Sequence, residues 1–183
     1  MNQQELNKVI EQHKLWLESN GKQGKCACLS DADLMGMVLC DVDLTSADLS
    51  FTNLKGADLT CANLSATKFC DAYLHNVKLC SAKLRDANFQ YADLSNADLT
   101  SANLRGANLE GAYLDAADLT DADLRGSILQ YSDFDHAYLI GAKFDINFCD
   151  VESFENAAFS KDQLCWLVLH PKFGKFKETL TIV

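Results

Sequence analysis

A chain of 183 residues with 26 Asp and Glu against 16 Lys and Arg, a formal net charge of −10 and a hydrophobic share of 48% is sized for one domain with short flanks. Its acidic balance repels phosphate backbones and sets direct nucleic-acid binding aside. No apolar core opens the chain as a secretion signal would, and its longest apolar run, 164–169, is far below the ~20 residues of a membrane span, so a cytoplasmic protein without membrane contact is expected.

Residues 3 to 19 place Leu6, Val9, Ile10, His13, Trp16 and Leu17 at helical spacing with Lys and Glu between them, and Asn20-Gly21 follows as a stop signal. The spacing predicts an N-terminal capping helix, with residues 1–25 as cap and lead-in. Its polar face mixes Glu with Lys and lacks the uniformly basic character of a membrane-surface helix.

From Leu29 to Phe144 a large apolar residue stands at every fifth position, 24 consecutive sites of which 20 are Leu and four are Phe (Phe69, Phe89, Phe134, Phe144). Two residues before each lies a small partner, Ala in 17 of the 24 cases. Sites five apart wander around a helix, which advances about 100° per residue. In a straight strand an odd spacing throws successive leucines onto opposite faces. The chain must therefore turn within every five residues, and a backbone that does so while keeping Leu and Ala inward is a solenoid with one continuous apolar column.

The run Ala-(Asp/Asn)-Leu-x-x, seen at Ala47-Asp48-Leu49-Ser50-Phe51, Ala57-Asp58-Leu59-Thr60-Cys61 and Ala122-Asp123-Leu124-Arg125-Gly126, strongly resembles the pentapeptide repeat proteins. The resemblance implies an all-β solenoid, a right-handed quadrilateral parallel β-helix with four repeats per coil, here 26–159 with short α-helical caps at both ends. The 24 repeats then make about six coils, ~29 Å tall at the ~4.8 Å spacing of parallel strands. Met37, Val42 and Val77 at the small inward site predict local bulging near the first coils.

After Phe144 the register degrades through Cys149, Phe154 and Phe159, with Glu152 where a small inward residue is due. One last irregular coil is expected. In 160–183, Ser160-Lys161-Asp162-Gln163 has the form of a capping box that opens a helix through Leu164, Trp166, Leu167 and Leu169 before Pro171. The β-prone tail from Thr179 to Val183 is suited to an exposed strand edge, of its own tower or of a second copy, the latter giving a homodimer.

Chemistry is sparse. Asp precedes the central residue in nine repeats and Asn in five, positions expected to face outward at a turn and satisfy backbone donors. Asp121-Ala122-Asp123-Leu124-Arg125-Gly126 imitates the start of a calcium loop, but position twelve is Ser132 where a bidentate Glu is needed. The eight cysteines follow neither zinc nor disulfide spacing, and His13, His75, His136 and His170 assemble no triad. The expectation is no enzyme, no cofactor and no metal.

Two exterior features are candidate partner-binding sites. Arg85, Arg105 and Arg125 are 20 residues apart, so the implied geometry stacks them as a ladder beside Lys83, Asp86 and Asp123. Phe51, Tyr91 and Tyr131 lie at alternate levels of another column, at outward corners. The resulting functional expectation is a structural scaffold that binds a protein partner through its outer faces. The resemblance carries an alternative: some family members imitate B-form DNA and bind a type II topoisomerase, protecting or inhibiting gyrase. Charge density opposes it, since DNA carries about 17 negative charges over ~29 Å. Residues 27–146 hold 18 Asp and Glu against eight Lys and Arg, a difference of −10 spread over four faces.

Overall fold

The computed structural model describes residues 1–145, 151–163 and 181–182. Parallel bridges join residues 20 apart on four successive sides, as in Cys28↔Asp48, Asp33↔Asn53, Val38↔Asp58 and Asp43↔Asn63, and continue to Tyr138↔Ala158. One coil thus consumes four five-residue repeats, and the coils stack into a four-sided tower. Each side contributes one bridging residue per coil, because a five-residue unit that spends two residues on its turn has no length left for a longer strand. Runs of strand occur only at β1 (Ala158–Phe159) and β2 (Thr181–Ile182) among the described residues.

The corners carry a conformational cost that sequence periodicity does not announce. Each central residue from Leu29 to Leu139 accepts a hydrogen bond from the N–H three residues on, as in Ala97 to Leu94 at 3.0 Å, and the residue between at the second turn position has positive φ, 57° at Asn96. That is the type II turn signature. It recurs at every fifth residue from Asp31 to Gly141, and only six of these corners are glycine. A left-handed L-residue costs ~1–2 kcal/mol. Inter-coil bonds on either side of the corner offset it, such as Leu94 N–H to the Tyr113 carbonyl at 2.7 Å and Asn96 N–H to Asp115 at 2.9 Å.

Inside, the Leu and Ala columns form one continuous cluster that reaches from Leu6 to Phe159. Stacked phenylalanines extend it, Phe69 on Phe89 at 4.8 Å and Phe134 on Phe154 at 5.2 Å. Thr52 and Thr67 at small inward sites are buried, and each hydroxyl donates to a carbonyl of the coil above, Leu29 and Leu44, at 2.7 Å. Of the three residues expected to bulge, half-buried Met37 keeps an ordinary 3.1 Å turn bond. Val77 is fully buried with an ordinary 3.0 Å turn bond, whereas at half-buried Val42 that bond lengthens to 3.5 Å.

Helix α1 (Gln3–Glu18) closes the top and starts on an Asn2–Glu5 capping box. Leu6 and His13 are fully buried, and Val9, Ile10, Trp16 and Leu17 are half-buried, so the predicted apolar face is the one that docks. His13 fixes the junction: its Nδ1 accepts from Ala27 N–H at 3.0 Å, while its buried Nε2 has no partner among the described residues. Gly24, at φ +70°, lets the returning chain lie against the helix backbone at Gln12 and Trp16, where a Cβ has no room.

At the bottom Phe154 and Phe159 are buried and Glu152 is exposed, its N–H held by the Ser132 carbonyl at 2.9 Å. The Ser160–Gln163 capping box forms. Gln163 also ties it to the tower by donating to the carbonyls of Leu139 and Ala142. The helix expected through Leu169 lies, past Gln163, outside the described residues. β2 pairs in parallel with β1 of the same chain, Ala158↔Thr181 and Phe159↔Ile182.

Leu99→Ala at mid-tower is expected to destabilise by about 2–5 kcal/mol in chemical denaturation, and Leu99→Asp by more, through an unpaired buried charge. Burial holds the His13 imidazole below its ordinary pKa of 6.5, against a smaller opposing pull from Asp43. Its folded pKa is depressed, so this stability is complete above about pH 6.5 and is lost as pH falls through the folded value. The unfolding midpoint should decline in that window, and His13→Gln should flatten the decline. Loss owed to Asp58 and Asp123, both held to about 2, should follow only at lower pH.

Candidate functional site

The exterior of each repeat is built from the residue before the central Leu and the two after it. All nine Asp and all five Asn at the first of these positions accept a hydrogen bond from the N–H two residues on. The regular carboxylates are therefore braces of the turn. At Asp43, Asp58 and Asp98 the hydroxyl of the Thr two residues on joins in, and at Asp58 the Thr60 hydroxyl, the Cys40 thiol and the Thr60 N–H together hold the carboxyl to about 2. No group of His, Cys, Asp and Glu able to hold a metal occurs among the described residues. Burial pushes the Cys26 and Cys70 thiols up, away from the thiolate that nucleophilic chemistry needs.

The arginines do stack at one-coil intervals, and carboxylates order them. Asp123 gathers two, with Arg125 Nη2 at 2.6 Å and Arg105 Nη1 at 3.7 Å, while Arg85 pairs with Asp86 at 3.3 Å. Arg125 is the first cause of the Asp123 carboxyl lying at about 2.

Phe51, Tyr91 and Tyr131 are corner residues with φ near 58°, all more than half exposed. They do not meet as a cluster, because Asp71 and Gly111 stand between them in the column. The Tyr91 ring instead lies down over Gly111, in the space a Cβ there would occupy. What Tyr91 does meet was not singled out by the corner spacing: Tyr73 and Tyr113, on the adjoining wall, join it with Asp71, Asp93 and Ser95 around an open groove of about 460 Å³. The signal was present in the sequence, since Tyr73 and Tyr113 are 40 residues apart at the position before the central Leu, two coils in the same column. A smaller groove of about 300 Å³ runs between α1 and the first coil, past Lys8, Val9, Gln12, Lys25, Cys26 and Cys28.

The family described as Pentapeptide repeats matches in eight copies over residues 26–60, 47–86, 82–121 and 117–145. The chain belongs to the pentapeptide repeat family. No curated protein matches this pentapeptide repeat protein. Among solved structures, HetL, a pentapeptide repeat protein involved in heterocyst differentiation regulation from the cyanobacterium Nostoc, is 33% identical over 74% of this chain, with a TM-score of 0.44. The match spans 62% of HetL, less than two thirds of its length. The full-length plasmid-mediated fluoroquinolone resistance protein QnrB1 is 19% identical over 81% of this chain and 74% of its own, with a TM-score of 0.70, a likeness of fold. A pentapeptide repeat protein of the Arabidopsis thaliana thylakoid lumen is 26% identical over 80% of this chain and 77% of its own, with a TM-score of 0.32. No helix among the described residues is long and apolar enough to cross a membrane.

Gly111 and Gly56 occupy equivalent left-handed corners, at φ +64° and +66°, but Gly56 has open space around it and Gly111 lies under the Tyr91 ring. Gly56→Ala should cost about 1 kcal/mol for its backbone alone. Gly111→Ala should cost clearly more in denaturant unfolding, with the excess removed by adding Tyr91→Ala in a double-mutant cycle.

Proposed function

We propose that this pentapeptide repeat protein is a non-enzymatic scaffold that binds a protein partner through the outer walls of a right-handed tower, with residues 26–159 as the binding body and 1–25 and 160–183 as its caps. The observation that carries the reading is the filled axis. Central residues from Leu34 to Leu124 are 0–3% exposed, so a ligand can be met only on the walls. The Arg85–Arg105–Arg125 ladder and the exposed Phe51, Tyr91 and Tyr131 supply the residue types that anchor protein interfaces. The exposed thiols of Cys28, Cys40 and Cys61 suit a reducing cytoplasm.

A second reading, a DNA-mimicking binder of a type II topoisomerase, draws support from the fold shared with QnrB1. Charge distribution weighs against it, because Lys83, Arg85, Arg105, Arg125 and Lys143 all fall on one wall. Gyrase supercoiling assays with and without a fluoroquinolone separate the two. The scaffold reading expects neither inhibition nor protection at micromolar protein, and either effect overturns it in favour of the second. Capture of a partner from source cytosol should fall about ten-fold or more with Arg105→Glu. Unchanged capture removes the Arg wall from the interface.

A further inference from the structure

The wall opposite the arginines has the complementary chemistry. From Ala72 to Asn156 its repeats carry Asp93, Asp115, Asp133, Asp135, Glu152 and Glu155 with no Lys or Arg. Among the described residues, the only basic side chain that meets a carboxylate on this stretch is His136, its Nδ1 at 3.0 Å from Asp115 Oδ1. Burial raises the Asp133 pKa, and the neighbouring Asp135, Asp115 and Glu152 charges add to it. At the upper end of this wall lies the groove of Tyr73, Tyr91 and Tyr113.

We propose that this tyrosine groove seats an Arg or Lys side chain of an extended basic segment on a protein partner, with the rest of that segment running down the carboxylate wall below. The inference deepens the scaffold reading and rests on it. Tyr73 and Tyr113 stand one coil to either side of Asp93, so a cation at the Asp93 level is about 4.8 Å from the level of each ring. This level spacing allows an ammonium or guanidinium to come within the ~6 Å of a ring centroid at which it is drawn to an aromatic face. Asp93 keeps one oxygen for such a cation, because Ser95 binds only Oδ1, through its N–H at 3.0 Å and its hydroxyl at 2.6 Å, and no cation among the described residues pairs with the carboxylate. Asp71, at the groove rim, is likewise without an ion pair among the described residues. Both tyrosines are more than half exposed, so their rings meet a ligand without any rearrangement of the core.

The length of the wall selects the class of ligand. Carboxylates continue from Asp93 over three further coils, about 15 Å, which is the reach of roughly five residues of extended chain. A single small ammonium ion meets only the Asp93 level and leaves that row unanswered, whereas a run of basic side chains answers it step by step.

The test is fluorescence anisotropy of labelled hexa-arginine and hexalysine peptides on the full chain, with unlabelled tetramethylammonium as competitor. Tyr73→Leu and Tyr113→Leu keep an apolar surface but remove the phenol ring, and each is expected to weaken binding about two- to five-fold. Asp93→Asn should weaken it at least as much, while Asp98→Asn, on a different wall, leaves it unchanged. Thermal melts of all four variants check that the tower is intact. Equal losses for Asp93→Asn and Asp98→Asn with no effect of the Tyr variants mean diffuse attraction to an acidic rod and overturn the proposal. Displacement of the peptide by tetramethylammonium at comparable concentration also overturns it, by identifying a small-cation site. Absence of any peptide binding removes the groove but not the scaffold, which the gyrase and Arg105→Glu experiments judge separately.

Discussion

A repeat of five residues can keep one large side chain on the tower axis only if the backbone turns about a right angle each time, and that demand is met by one left-handed residue per corner. Everything else follows from the corner. It aims the central Leu inward and aligns the amides of one level with the carbonyls of the coil below, as at Leu94 and Asn96. It also leaves the residue before each Leu facing out, where Asp or Asn locks the turn. Burial of Leu and Ala then offsets a strain that no single repeat could sustain alone, which is why the architecture exists only as a stack.

Much of this was legible from spacing. The period of five identifies the core residue by residue, and the helical spacing of Leu6, Val9, Ile10, His13, Trp16 and Leu17 identifies the face of α1 that docks. The positive-φ column was readable in principle, since Asp, Asn and Gly crowd the second position after each Leu, but Phe51, Tyr91 and Tyr131 at the same corners disguise it. His13 illustrates a deeper limit. Its apolar-face position predicts burial, but that Nδ1 receives Ala27 depends on where the helix lands on the first coil, which no periodicity encodes. The tail likewise reads as edge-seeking, and only the fold selects β1 as its edge.

The exterior was harder because a column has to be read at each position of the repeat separately. Reading the position after the central residue brings out Arg85, Arg105 and Arg125, and the corner position brings out Tyr91. The groove needs a third position, the one before Leu, where Tyr73 and Tyr113 sit among bracing Asp and Asn residues. Two opposite walls thus differ in kind, one ordered by guanidinium–carboxylate pairs around Asp123 and the other aromatic and acidic around Asp93.

The seating of the Tyr91 ring over Gly111, and of the Asp86 and Asp121 carboxyls over Gly106 and Gly141, makes successive levels mate like a knob above a hollow. Adding one pentapeptide would preserve the inward leucines yet rotate every lower level by a quarter turn, parting each knob from its hollow and scrambling all four walls. Lengthening by 20 residues preserves the mating, as the bridge register requires. A rod of this kind changes length in whole storeys, and its exterior, more than its core, is what forbids intermediate sizes.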